Sequence, residues 1–466
     1  MTVSKKLSGW ISGSAKATDM TTGKILPILI SFALPIMIGN LFQLLYSMVD
    51  TAVVGRGVGA QALAAVGVTS PVTQLLLGLM IGMTSGMSVV IAQHFGSGSQ
   101  EKTRRAIASG IVLISVVSAL VTVAGIALCR PLFRLINTPD EIIDGAVLYS
   151  VIAFAGTASA AAYNFEAGVL RAFGNSVIPL LFLVLTSLLN VGLDLLFVLS
   201  FGWGIAGVAV ATLLSQLVSA VLCLIYMMKK VPLIRLTKAD WKFDRSMTMQ
   251  HLRTGIPMAF FGSLLAVSFL VLQAALNSLG SADMAAYTAG SKMDSIVYQV
   301  LSAFGTAVST FAAQNYGKGD LDRVRQGVRQ SLGITVGISL ALTALVFMFG
   351  RHFLALFIDP SETEIITSAT RYIRTTSLFY VILGVNYIVR FTLTGVGKSV
   401  IPMAVGISEI LTRAAVTYLL VYRIGFLGMT FASPACWFTS TLLCVVCYKP
   451  MINSAQKALE KRLQAA

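Results

Sequence analysis

Runs of about 20 mostly apolar residues, separated by short Gly-, Pro- and charge-containing breaks, recur along the whole chain with no strand-like alternation. Twelve such runs lie near 26–53, 62–92, 104–129, 141–168, 177–200, 205–228, 252–279, 285–314, 327–349, 364–390, 400–422 and 427–448. At 1.5 Å rise per residue each is long enough to cross a hydrocarbon layer of about 30 Å. The pattern predicts an all-α polytopic membrane protein with twelve transmembrane helices. The first 20 residues are polar, so the first span is expected to act as an uncleaved insertion signal.

The twelve runs are two copies of one six-span unit. Ala92-Gln93-His94-Phe95-Gly96-Ser97-Gly98 returns as Ala313-Gln314-Asn315-Tyr316-Gly317-Lys318-Gly319, and Gly174-Asn175-Ser176-Val177-Ile178-Pro179 returns as Gly397-Lys398-Ser399-Val400-Ile401-Pro402. Pro35 pairs with Pro257, and Gly204 and Gly207 pair with Gly425 and Gly428, all at offsets of 221–223 residues. Six is even, so both copies enter the membrane from one side. The expected relation is a pseudo-twofold axis along the membrane normal, as in parallel-repeat transporters. The implied organisation is a tail over 1–24, an N-lobe over 25–228, an inter-lobe linker over 229–251, a C-lobe over 252–449 and a tail over 450–466.

Composition agrees with this class. Hydrophobic residues make up 56% and charged residues 11% of the chain, against roughly 25% charged in a soluble domain. That excludes a soluble enzyme, a disordered chain and a disulfide scaffold. The net charge of +15 suggests nucleic acid only until the bases are located. Of the 34 Lys and Arg, 25 fall in alternate polar segments that include both termini, and five fall in the other connections. This bias places both termini in the cytoplasm. The basic charge then serves topology and the inner lipid surface, and no nucleic-acid partner is expected.

Acidic residues inside spans are costly and need a partner or a role. Five qualify: Asp50, Glu166, Asp194, Asp294 and Glu409. Glu409 stands four residues before Arg413, a spacing that predicts a self-neutralised helix pair. Asp294 lies near Lys292 and Ser295, and Glu166 near Arg171. Asp50 and Asp194 have no base within one turn. Both come out about 8–10 Å inside the outer boundary, with Thr212 and Tyr149 at roughly 10–12 Å by the same rise. Asn190 shares a helix face with Asp194, and Tyr46 with Asp50. At the repeat offset, Asn190 and Asp194 fall against Arg413 and Thr417, and Asp50 against Leu272 and Gln273. The acidic layer therefore belongs to the first half alone. Its oxygens suit proton exchange or Na⁺ coordination; two polar residues merely satisfied by helix–helix hydrogen bonds is the structural alternative.

Other motifs fail. Gly397-Lys398-Ser399 resembles the end of a phosphate loop, but Thr392 stands where the first glycine belongs, so ATP is not expected. His94, His251 and His352 are far apart, and the five cysteines lack metal or disulfide spacing. No metal, no bound cofactor and no enzymatic activity is expected.

The run from Pro35 through Gln43-Leu44-Leu45-Tyr46-Ser47-Met48-Val49-Asp50, the two AQxxGxG loops and the Asn190…Asp194 pair together resemble the multidrug and toxic compound extrusion (MATE) family. The resemblance covers about 25–450, and within the family it is nearest the branch of the DNA-damage-inducible F proteins. It implies a monomeric antiporter of the bacterial inner membrane that exports amphipathic, often cationic organic compounds in exchange for H⁺ or Na⁺. It places cation coupling on Asp50, Asn190, Asp194 and Thr212, with Gln43, Tyr46 and Tyr149 lining a substrate cavity. Asp294, Glu409, Arg413 and Gln273 are secondary candidates. The other bacterial branch uses a glutamate on its seventh span and an aspartate on its tenth; here those spans offer Gln273 and Asn386. The competing readings are a lipid-linked saccharide flippase of the same superfamily and a passive scaffold or channel.

Overall fold

A computed structural model describes residues 19–135, 138–359 and 361–464; most of the N-terminal tail lies outside the described residues. The chain is helical throughout, with no strand among the described residues. Ten helices are long and apolar enough to cross a membrane, and two bent pairs raise the number to twelve. The helices are α1 (Ile25–Gly57), α2 (Ala60–Gly96), α3 (Gln100–Leu135), α4 (Asp140–Ala155), α5 (Thr157–Ala172), α6 (Val177–Asp194), α7 (Gly204–Lys230), α8 (Arg245–Asn277), α9 (Ser281–Lys318), α10 (Leu321–Leu354), α11 (Thr363–Ser377), α12 (Tyr380–Gly395), α13 (Val400–Val416), short α14 (Tyr422–Ile424) and α15 (Phe426–Thr430), and α16 (Ala432–Gln464).

The helices show the inside-out pattern expected of a lipid solvent. On α3, Thr103 and Ser118 are buried while Leu120 and Val123 are 65% and 68% exposed. Small and polar side chains let helices approach one another, and the large apolar ones face outward.

Contacts divide the described residues into two compact units, one built on Leu34–Ala259 and the other on Phe260 onward with Thr21–Ala33. Their internal packing is the same. In the first unit α2 packs on α3, α4 and α5, α6 on α7, α5 on α7, and α3 on α4. In the second, α9 packs on α10, α11 and α12, α13 on α16, α12 on α16, and α10 on α11.

The unit boundaries cut through two helices. The start of α1 belongs with the second unit, where Lys318 donates to the carbonyl and hydroxyl of Thr21, and Arg323 to the carbonyls of Thr22 and Gly23. The start of α8 belongs with the first unit. There His251 Nε2 meets the Ala106 carbonyl at 2.9 Å, and a Ser109–Thr248 hydroxyl pair lies at 3.2 Å.

Two spans expected to be continuous are bent. α4 and α5 meet at 42°, and α11 and α12 at 47°. A bend frees backbone carbonyls that lipid cannot satisfy, and the repeat solves this twice in one way. Thr122 of α3 donates to the Phe154 carbonyl at 3.1 Å. Its repeat-mate Thr343 of α10 donates to the Ser377 carbonyl at 2.7 Å. Ser339 adds a bond to the Tyr380 carbonyl at 3.1 Å.

The tightest helix crossing is α2 on α8. A Cβ at Gly86 would lie 2.5 Å from the Gly255 Cα, backbone against backbone, whereas a Cβ at Gly67 meets nothing within 4 Å. Gly86→Ala is therefore expected to lower the thermal midpoint of the purified protein by several degrees, while Gly67→Ala leaves it equal or raised, since alanine is the better helix former by roughly 0.5–1 kcal/mol. Equal midpoints for the two variants would remove the packing role assigned to Gly86.

Candidate functional site

The first unit holds its polar layer at the end of α6. Asn190 is 2% and Asp194 0% exposed, one turn apart on the helix. Asn190 Nδ2 donates to Thr212 Oγ1 on α7 at 3.3 Å, which ties α6 to α7. Asn190 Oδ1 is buried with no hydrogen-bond partner. A buried acceptor without a donor costs about 1–3 kcal/mol, so it marks a place where a ligand or ion is wanted.

The backbone changes character at this point. α6 ends at Asp194 and continues as a π-helical segment over Leu195–Ser200. Such widened turns re-aim side chains and concentrate at functional sites. The second unit repeats the device: α13 ends at Val416 and a π segment follows over Thr417–Val421. Thr417 there occupies the place of Asp194.

Asp50 lies on α1; its side chain is outside the described residues. Its level on the helix is still fixed by packing. A Cβ at Gly39 would touch Leu180 and Leu183, and one at Gly57 would touch Val198 and Leu199. α1 thus runs parallel to α6 and its π extension, and interpolation between the two contacts brings Asp50 level with the Asn190–Asp194 turn. Tyr149 is half-buried and packs with Val53, Val198 and Val208 beside the same turn. Tyr46 is half-buried and Gln43 exposed.

The secondary candidates in the second unit form a different kind of centre. Asp294 is 3% exposed and accepts from Tyr372 Oη at 2.7 Å and Tyr380 Oη at 2.9 Å. It sits among tyrosines rather than with Lys292. The expected Glu409–Arg413 pair is corrected: no direct ion pair joins them among the described residues. Arg413 instead donates Nε–H to Ser268 Oγ at 2.8 Å and stacks over Phe269, while Glu409 Oε1 accepts from Ser440 at 3.3 Å. The two side chains still lie close enough to feel each other's charge, but each makes its directional hydrogen bond with a neighbouring helix. Gln273 is exposed and bonds Asn277 at 2.8 Å.

The structure adds one residue that the sequence did not single out. Arg390, at the end of the 364–390 run, is 6% exposed against the rings of Phe261, Tyr387 and Phe391. Asn386, one turn earlier, is buried with Nδ2 lacking a partner. Glu166 is also buried, and it forms no ion pair with Arg171 among the described residues. No group of three or more His, Cys, Asp or Glu able to hold a metal occurs among the described residues.

Comparison with known proteins adds a family and a fold. The sequence model of the MatE family matches residues 35–196 and 257–419, one match per half. The chain is 30% identical over 375 residues to YpnP, a probable multidrug resistance protein of Bacillus subtilis, covering 80% of this chain and 83% of the relative. It is 28% identical over 422 residues to YoeA, another probable multidrug resistance protein of Bacillus subtilis, covering 88% and 91%. A solved structure described as the outward-facing conformation of a multidrug resistance MATE family transporter of the MOP superfamily superposes with TM-score 0.88 at 23% identity. That superposition covers 95% of this chain and 99% of the other.

The contrast between the two polar centres is open to measurement. Tyr380→Phe removes a donor that Asp294 uses and is expected to destabilise by about 1–3 kcal/mol. Asn190→Leu removes an unused acceptor together with one long donor bond to Thr212, so relief and loss offset, and thermal unfolding of the detergent-purified variant should show a smaller loss than Tyr380→Phe. A larger loss for Asn190→Leu than for Tyr380→Phe would mean that Asn190 is an ordinary packing residue.

Proposed function

This chain belongs to the MatE family of multidrug and toxic compound extrusion transporters, and we propose that it is a secondary antiporter that exports amphipathic or cationic organic compounds against an inward flow of H⁺ or Na⁺. The observation that carries the coupling proposal is the buried Asn190–Asp194 turn, with an uncompensated amide oxygen, in one unit only. Asp194 supplies the carboxylate, Asn190 Oδ1 and Thr212 Oγ1 supply neutral oxygens, and Asp50 on the adjacent stretch of α1 supplies a second acid. Carboxylate, amide and hydroxyl oxygens are the donor set a hard monovalent cation prefers, and the same carboxylate takes a proton.

The energetic logic is neutralisation. An ionised carboxylate inside the lobe is expensive, and an arriving cation relieves that cost. Its inward movement contributes about 2.3 kcal/mol per charge per 100 mV of membrane potential. Exchange follows when cargo and coupling cation favour opposite faces of the protein, so that release of one readies the site for the other. ATP has no part in such a cycle. The charge pattern sets both termini in the cytoplasm, which makes the Asp50–Asp194 level face the outside. A single chain carries the complete site, so the functional unit is proposed to be the monomer.

The test is transport by the purified protein in liposomes, with proton and sodium gradients imposed separately and ethidium as cargo. Asp50→Asn and Asp194→Asn are each expected to reduce gradient-driven transport at least tenfold, while expression and folding stay intact. Thr212→Val, which removes one hydroxyl contact worth about 1 kcal/mol, is expected to slow it several-fold. Undiminished transport by both aspartate variants would refute the coupling proposal. Movement of a lipid-linked saccharide with no ethidium transport would assign the chain to the flippase reading instead.

A further inference from the structure

A cavity lies in the first unit, lined by none of the Asn190–Asp194 turn. It measures about 740 Å³ and is walled by Ile111 of α3, Phe165 and Glu166 of α5, Met227 of α7, and Leu236 and Trp241 of the segment following α7. That size lies within the usual range of small-molecule sites, roughly 300–1,000 Å³, and the lining has their usual character of apolar walls with a few polar groups.

The wall formed by the connecting segment is anchored. Asp240 Oδ2 accepts from the backbone N–H and the hydroxyl of Thr237, both at 2.7 Å, and pairs with Arg104 Nε of α3 at 3.4 Å. Burial pushes the Asp240 carboxyl up, but the Thr237 donors and Arg104 outweigh it and hold it below the ordinary carboxylate value. The latch is therefore ionised at neutral pH, and Leu236 and Trp241 are held across the end of the cavity.

The acidic group in the lining is Glu166, 8% exposed, together with the hydroxyl of Ser115 and, at the rim, Arg235. The Glu166 Oε2 is buried without a hydrogen-bond partner among the described residues. Arg235 at the rim is exposed, and no described ion pair includes Glu166. A large apolar chamber with a single unsatisfied acidic acceptor calls for a ligand that supplies both an apolar body and a positively charged N–H donor. An anion would meet the carboxylate, and a neutral hydrocarbon would leave Oε2 bare.

We propose that this cavity binds an amphipathic amine, its ammonium on Glu166 and its apolar body between α3, α5, α7 and the Leu236–Trp241 wall. On the orientation set by the charge pattern, the site opens at the cytoplasmic membrane surface. A free lipophilic amine and an aminolipid such as phosphatidylethanolamine share the required chemistry.

The experiment measures binding rather than transport, so its outcome is independent of the coupling proposal. Full-length protein in phosphatidylcholine nanodiscs is titrated with monodansylcadaverine, a primary amine whose dansyl group accepts energy from tryptophan. Saturable energy transfer is expected. Glu166→Gln should weaken affinity roughly tenfold, and Leu236→Trp, which fills the cavity from the connecting segment without touching helix packing, should do the same. The N-acetylated probe should bind weakly and equally to all three proteins. Unchanged affinity in Glu166→Gln and Leu236→Trp, with both variants monodisperse and folded, would overturn the proposal. Repeating the titration with phosphatidylethanolamine in the disc identifies the occupant: weakened probe binding in the wild type but not in Glu166→Gln supports the aminolipid, and unchanged binding supports a free amine.

Discussion

Everything in this protein follows from the absence of water in the layer its helices cross. A polar group placed there has to find its partner inside the chain or in something the chain binds. The two bent spans show the first solution. Where α4–α5 and α11–α12 break, Thr122 and Thr343 reach across from the neighbouring helix to the loosened carbonyls. Asp294 shows it again, with a tyrosine hydroxyl on each carboxylate oxygen. Asn190 Oδ1 and Glu166 Oε2 show the second, for neither has a donor among the described residues. The groups the fold leaves unsatisfied are therefore the ones worth assigning to a ligand.

Much of the architecture was legible in the sequence because hydropathy and repetition report directly on lipid crossing. The expected 364–390 run, for example, contains α11 and most of α12, and the paired AQxxGxG and GxSVIP blocks mark equivalent turns of two units with equivalent packing. What hydropathy cannot carry is direction change within a span. Gly156 and the Ser377–Tyr380 junction carry no proline, and the loosened carbonyls are met by hydroxyls from another helix 30 or more residues away. The π segments after Asp194 and Val416 are equally silent, since they widen a helix without altering its composition.

The site was legible in part. Helical spacing placed Asn190 and Asp194 on one face and depth placed Thr212 beside them, and the Asn190–Thr212 hydrogen bond joins those elements. The same spacing rule misread Glu409 and Arg413. Four residues bring two side chains within reach, but they do not decide between a carboxylate below and a hydroxyl and ring across the helix interface. Ser268 and Phe269 of α8 took the guanidinium. A local rule fails where a long, multi-donor side chain has a tertiary alternative, and Arg390 against three aromatic rings shows how far such a side chain can be held by tertiary contacts.

Duplication explains why the two units diverge where they do. Both inherit a helix that loosens into a π segment at the same repeat position, a place where the backbone can present a side chain inward. In one unit that position carries Asp194, with Asn190 a turn before it; in the other it carries Thr417, with Arg413 a turn before it. The second unit meets its buried acid Asp294 with two tyrosine hydroxyls, while Arg413 keeps Ser268 on Nε and leaves one terminal nitrogen without a hydrogen bond among the described residues. The two units thus keep the same backbone device and differ in what it presents: a buried acid with an amide a turn before it in one, a hydroxyl with a guanidinium a turn before it in the other.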